Sequence, residues 1–166
     1  FPDQSNTTTR DQMRQMVFET ANAYFREVSY GLIEFVGTVT WNWYQLPKSQ
    51  AYYARPWRFT ELEVDSLGAA DPDVDYRQYR NAIVVTAASH LLRSLAWIGP
   101  QHWSTNEGDV LLSLCVVDER SRVGVFAHEM GHMLGLPDLY DNSGIDHVGA
   151  WDLMALGSSN CEGREP

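Results

Sequence analysis

His128 and His132 stand four residues apart with Glu129 directly after the first, and Gly135, Pro137 and Asp138 come shortly afterwards. On an α-helix, residues i and i+4 share a face, so two imidazoles at this spacing can share one ion. Glu129 is rotated by about 100° from His128, the step of a helix with about 3.6 residues per turn, and leans over the same ion without ligating it. In this H-E-x-x-H arrangement the imidazoles hold zinc, and the glutamate takes a proton from the water that the zinc acidifies.

The residues after the second histidine make the pattern more specific. Gly135 accepts a positive φ and Pro137 cannot continue a helix, so the chain turns sharply and brings Asp138 back toward the ion. The full pattern, H-E-x-x-H-x-x-G-x-x-D, is an extended zinc motif with aspartate in place of the usual third histidine. Three protein donors leave the fourth position of zinc to water. A carboxylate gives the metal more negative charge than a neutral imidazole, so the water is acidified less and more is asked of Glu129 as base. The bland alternatives are a pair of satisfied helix histidines, an Asp138 that only caps the turn, and a Met154 that only fills a gap in the core.

The elements that must position these groups emerge from the hydrophobic pattern. Met13, Met16, Val17, Ala21, Tyr24, Phe25 and Val28 keep an i, i+3, i+4 rhythm, which predicts an amphipathic helix over 9–30 with an N-cap among Thr7 to Thr9 and a stop at Gly31. "LIEFVGTVTWNWYQL" predicts a strand with a bend at Gly37, closed by Pro47. "ELEVDSLGAA" reads either as a short helix ended at Gly68 or as a loop, and "DPDVDYRQY" as a turn opening a helical turn or a solvated loop. "NAIVVTAAS" and "DVLLSLCVV" are strands buried on both faces, "STNEGD" is polar punctuation, and "VGVFAHEMGHML" is the site helix. There is no internal repeat or low-complexity tract.

Composition sets the outer limits. The 166 residues fit one domain; they are 44% hydrophobic and 20% charged, the proportions of a packed globular chain. A formal net charge of -10 excludes a nucleic-acid backbone or an anionic membrane surface as the expected partner. No apolar run is long enough to span a bilayer, and the N-terminus lacks the basic flank of a signal peptide. The start at Phe1-Pro2-Asp3 reads as the end of a strand, so a mature form or an excised piece is expected. Cys115 and Cys161 are either one bridge or two thiols. Asp71, Asp73 and Asp75 alternate as Ca2+ ligands would, but lack the glycine and distal glutamate of a dedicated loop, so a solvated loop is the better reading. His90 and His102 read as structural. The aromatics from Trp41 to Trp57 line either a cleft or the core.

"HEMGHMLGLPDLYD" together with "GAWDLM" and "YFREVSYGLIEFVGTVTWNWYQLP" resembles the immune inhibitor A family of secreted, metzincin-like zinc endopeptidases. The resemblance implies an α+β fold of zincin/metzincin type: a twisted mixed β-sheet with a backing helix and an active-site helix, then a short loop-rich part with a methionine turn. It implies a single catalytic domain over 1–166, with 1–134 as the upper part and 135–166 as the start of a lower part, either truncated or whole. His128, His132 and Asp138 would hold one Zn2+, Glu129 would be general base and acid, and Met154 would form the floor under the metal. The substrates would be polypeptides and the setting extracellular; the oligomeric state is open, and a monomer is assumed. Two departures stand out: no Asp-rich, glycine-containing calcium loop precedes "NAIVV", and the chain ends twelve residues after Met154. Leu156 also stands where such sites often place an oxyanion-supporting tyrosine, a role left to Tyr140 or His147. The rival readings are a catalytically silent or truncated zinc-binding domain used in adhesion or assembly, and a hydrolase of small amides. Intact Glu129 weighs against the silent one.

Overall fold

The computed structural model describes residues 1–87, 92–140 and 148–163, with side chains described to residue 159. Its architecture is α+β, with a mixed four-stranded sheet covered by helices on both faces.

The predicted N-terminal helix is present as α1 (Arg10–Gln15), a π-helical stretch (Met16–Ala21) and α2 (Asn22–Val28) in unbroken succession. Thr9 caps it by accepting from the Gln12 N–H while the Gln12 side chain answers the Thr9 N–H, a reciprocal capping box. Short helix α3 (Gln50–Tyr53) and then α4 (Phe59–Ala70) come next, so the ambiguous segment is helical and α4 runs through Gly68 without stopping there. The acidic stretch after it opens one 3-10 turn, Tyr76–Gln78.

Strands β1 (Asn81–Thr86), β2 (Leu95–Ala96), β3 (Gln101–Thr105) and β4 (Gly108–Asp118) form the sheet in the order β1-β4-β2, with β3 also paired to β4. β1 runs parallel to β4, while β2 and β3 run antiparallel to it. β3 forms a hairpin with β4 that the polar "STNEGD" reading missed. Because side chains alternate along a strand, Leu112, Leu114 and Val116 of β4 face a core shared with Tyr53, Leu62, Leu67 and Trp103, whereas Cys115 and Val117 face the core under the site helix. Burying each of these apolar side chains contributes about 1.5–3 kcal/mol.

Two strand expectations are corrected. β4 is buried on both faces from Leu112 to Val117, but β1 is only half-buried over most of its length. The segment 32–46 is irregular, bends at 41–42 and joins no ladder among the described residues. Side chains meet its backbone instead: Asn22 accepts from the Phe35 N–H at 2.8 Å and donates to the Phe35 carbonyl at 3.1 Å, and Arg10 Nε donates to the Val39 carbonyl at 3.0 Å. A groove of about 820 Å3 is lined by both this segment and β1.

Opposite the other edge of β4, residues 97–100 separate β2 from β3, while only Ser113 and Leu114 intervene on β4 between the paired positions Leu112 and Cys115. The surplus residues bulge from the sheet, as strands commonly do beside functional sites.

Candidate active site and metal centre

The site helix is α5 (Val123–Met133), and all but one of its residues are buried. It lies against the N-terminal helix and β4 through Val123, Phe126, Ala127, Met130 and Met133. Its end is built by the local sequence. Gly135 adopts φ +93, a value that favours glycine, which lets the Gly135 N–H reach the His132 carbonyl at 2.9 Å and the Leu136 N–H reach the Gly131 carbonyl at 3.1 Å. This paired closure swings the Leu136 carbonyl back over the helix, where His132 Nδ1 donates to it at 2.8 Å. The turn that ends the helix thereby orients its last histidine.

His128 is held in the same manner from a different segment, its Nδ1 donating to the Leu153 carbonyl at 2.8 Å. A carbonyl can only accept, so each Nδ1 carries the proton and each Nε2 of a neutral ring presents a lone pair. Those two Nε2 atoms lie 3.2 Å apart. Asp138 Oδ1 lies 3.1 Å from His128 Nε2 and 3.3 Å from His132 Nε2. The three form the one group of metal-type donors that converges among the described residues.

Glu129 is buried, with Oε2 lacking a hydrogen-bond partner among the described residues, and lines a cavity of about 370 Å3 with both histidines and Asp138. Burial first, and the Asp138 carboxylate second, push its pKa up to about 8. Tyr140 stacks on His128 with ring centroids 6.3 Å apart and an interplanar angle of 9°. Its hydroxyl bonds to Asp138, and burial together with that bond raises its pKa to about 12. His147 lies outside the described residues, as does His90.

Met154 is buried against α5. A Cβ added at Gly131 would lie 2.6 Å from Met154 Sδ, so the glycine makes room for the methionine between the turns that bear the two histidines. The Leu139 N–H donates to the Met154 carbonyl at 2.9 Å, and the Met154 N–H donates to Asp152 Oδ1 at 2.8 Å, which joins the Asp138 turn to the methionine segment.

The three alternating aspartates do not converge. Asp71 accepts from the Asn106 N–H, Asp73 from the Tyr44 hydroxyl, and Asp75 caps its own turn and pairs with Arg77. Each carboxylate is engaged by its own neighbours, an arrangement in keeping with the preferred reading of a solvated loop. Cys115 is a fully buried free thiol on β4, and burial raises its pKa well above the usual value; the Cys161 side chain lies outside those described. The sequence reading missed two residues on the cleft wall, Trp97 and Ile98. Their only local signal was the Gly99-Pro100 pair that interrupts the strand pattern.

No curated protein matches the chain. Residues 93–166, which carry the cleft wall, α5, the Asp138 turn and Met154, match the family model described as Immune inhibitor A peptidase M6, catalytic domain, while the stretch from Tyr24 to Pro47 lies outside the match. Through the segment that builds its site, the chain thus bears out the likeness to the immune inhibitor A family of peptidases that its motifs carry.

Proposed function

We propose that residues 1–166 form one zinc-dependent endopeptidase domain of metzincin type, with 1–134 as the upper part and 135–166 beginning the lower part. The observation that carries this reading is the convergence of His128 Nε2, His132 Nε2 and Asp138 Oδ1 at 3.1 to 3.3 Å while both Nδ1 atoms are engaged by carbonyls. Three lone-pair donors crowded together with no proton to share repel one another, and a cation relieves that repulsion. Tetrahedral bonds of about 2.0–2.1 Å require donor spacings of about 3.3 Å, so the residues fit zinc.

Zinc held there would supply Lewis-acid polarisation of a peptide carbonyl and acidify water at the open position. Glu129 is the base that takes the proton from that water and the acid that passes it to the leaving amine. Burial raises the pKa of Glu129, and a cation held by the three donors would act against that shift and favour the carboxylate form that a base needs. Asp138 completes the donor set while accepting from Tyr140. Tyr140, beside the open side of the site, is the described residue suited to support the oxyanion. Met154 forms the apolar floor. Polypeptide substrates and an extracellular setting rest on the family likeness, and no helix among the described residues is long and apolar enough to cross a membrane.

The test is cleavage of casein by the chain beside its Glu129→Gln variant, with zinc determined on both. Cleavage by the parent alone, with equal zinc, supports the proposal. Undiminished turnover in the variant, or no zinc in either, overturns it.

A further inference from the structure

The bulge at residues 97–100 forms part of the cleft wall yet has lost most of the ladder that would fix it. Its backbone retains a long contact from the Trp97 N–H to the Leu114 carbonyl, 3.4 Å, and one from the Gly99 N–H to the His132 carbonyl, 3.1 Å. The remaining anchor is a side chain. Trp97 Nε1 donates at 2.9 Å to Oε2 of Glu63, which is 0% exposed on α4.

Glu63 is an unusual residue in that place. α4 belongs to the layer across β4 from the site helix, with its Leu62 and Leu67 in the core that excludes α5. An ordinary packing position there would be apolar, since burying a carboxyl without full hydrogen bonding is costly. Oε1 of Glu63 finds no partner among the described residues, so the indole is the partner the structure shows for it. Trp97 itself remains 41% exposed and stands on the wall of the cavity that holds His128, Glu129 and Asp138.

We propose that Glu63 is a positioning residue for peptide binding, acting from the opposite layer by fixing the Trp97 indole and with it the bulged cleft wall. The inference rests on the peptidase reading for the identity of the ligand. Without the anchor the indole is free to change rotamer, and the bulge at 97–100 keeps, among the described residues, only the backbone contacts of Trp97 and Gly99.

The experiment measures affinity apart from turnover. In the zinc-loaded Glu129→Gln background, an unstructured casein-derived peptide is titrated calorimetrically into the chain and into Glu63→Leu, Glu63→Gln and Trp97→Phe derivatives. Glu63→Leu is expected to raise Kd about tenfold and to move the Trp97 indole N–H resonance upfield, with zinc content unchanged. Glu63→Gln, which keeps an acceptor for the indole, is expected to restore Kd to within about twofold and to keep the resonance downfield. Trp97→Phe should weaken binding, and adding Glu63→Leu to it should then have no further effect, because the two residues act through one bond. Should Glu63→Leu fail to fold, Glu63→Met, an unbranched apolar side chain nearer in shape to glutamate, takes its place with the same expected outcomes. An unchanged Kd in folded Glu63→Leu, additive effects in the double variant, or no rescue by Gln overturns the proposal. Casein cleavage by the Glu129 parent with a Kd insensitive to Glu63 defeats this inference alone, whereas a Kd governed by Glu63 without cleavage defeats only the peptidase reading.

Discussion

His128 and His132 present their Nε2 atoms to each other at 3.2 Å, and each is locked in that pose by a backbone carbonyl from later in the sequence, Leu153 for one and Leu136 for the other. Orientation of the donors therefore comes from two later segments, and the helix alone does not set it. Such outer partners fix the tautomer of a ligating histidine and raise its basicity.

The donors and the base should separate under mutation. His132→Ala removes one donor and is expected to lose both metal and hydrolysis. Glu129→Gln keeps all three donors and should retain zinc while kcat falls about 10²-fold to 10⁴-fold, the usual contribution of a positioned base. Metal analysis beside initial rates checks both, and loss of zinc from Glu129→Gln would contradict its placement outside the donor set.

Metal removal should be felt in stability as well. A ligand that binds only the native chain stabilises it by RT ln(1 + [L]/Kd), about 4 kcal/mol at a thousandfold excess over Kd. Treatment with a chelator is expected to lower Tm, and added zinc to restore it. His132→Ala should show the low Tm with or without zinc.

Two glycine substitutions should act with opposite sign. Gly68 lies within α4 and a Cβ there meets nothing within 4 Å, so Gly68→Ala should stabilise by about 0.5–1 kcal/mol through helix propensity. Gly124 lies in α5, but its Cβ would come 2.2 Å from the Ser158 backbone oxygen. Gly124→Ala should destabilise by about 1–3 kcal/mol despite the same gain in propensity. Thermal denaturation of both variants distinguishes the two cases.

Stability should fall between mildly acidic and neutral pH because of Glu63. Burial pushes its pKa up to about 7, against a lowering by the Trp97 hydrogen bond. The native chain thus keeps a proton that the unfolded chain, with an ordinary glutamate pKa of about 4.3, has already released. This contribution is full below about pH 4 and is lost as pH rises through about 7, at no more than about 1.4 kcal/mol per unit. Glu63→Gln imitates the protonated form, so its urea midpoint should vary less between pH 5 and 7 than that of the parent. Equal slopes would show that Glu63 does not titrate in that window.

The donor constellation was legible because it is local: His128, Glu129, His132, Gly135 and Asp138 encode a helix, its termination and the returning chain within one short stretch. The N-terminal helix was legible for a similar reason, a sustained apolar rhythm with a capping threonine. α4 was hidden because Glu63, fully buried, occupies a position that the pattern assigns to solvent, and because Gly68 imitates a stop. β3 buries chiefly Trp103 and so shows little alternation to read. The segment 32–46 has strand-like residues, but pairing depends on a neighbouring edge, which no local pattern records. Tyr140 was named without its partner, since its stacking on His128 depends on how the turn after Gly135 closes.

Just ahead of α5, Glu119 accepts the Thr7 N–H at 3.0 and 2.9 Å and the Thr8 N–H at 2.7 Å, contacts that span 112 and 111 residues. Closing a flexible loop of that length costs about 4 kcal/mol in chain entropy by logarithmic scaling. Contacts of such separation slow folding, because the entropy is lost before the contact is gained. Thr7 and Thr8 are made long before Glu119, yet they must wait for it, so the segment leading into the site helix is secured only once Glu119 itself has been synthesised.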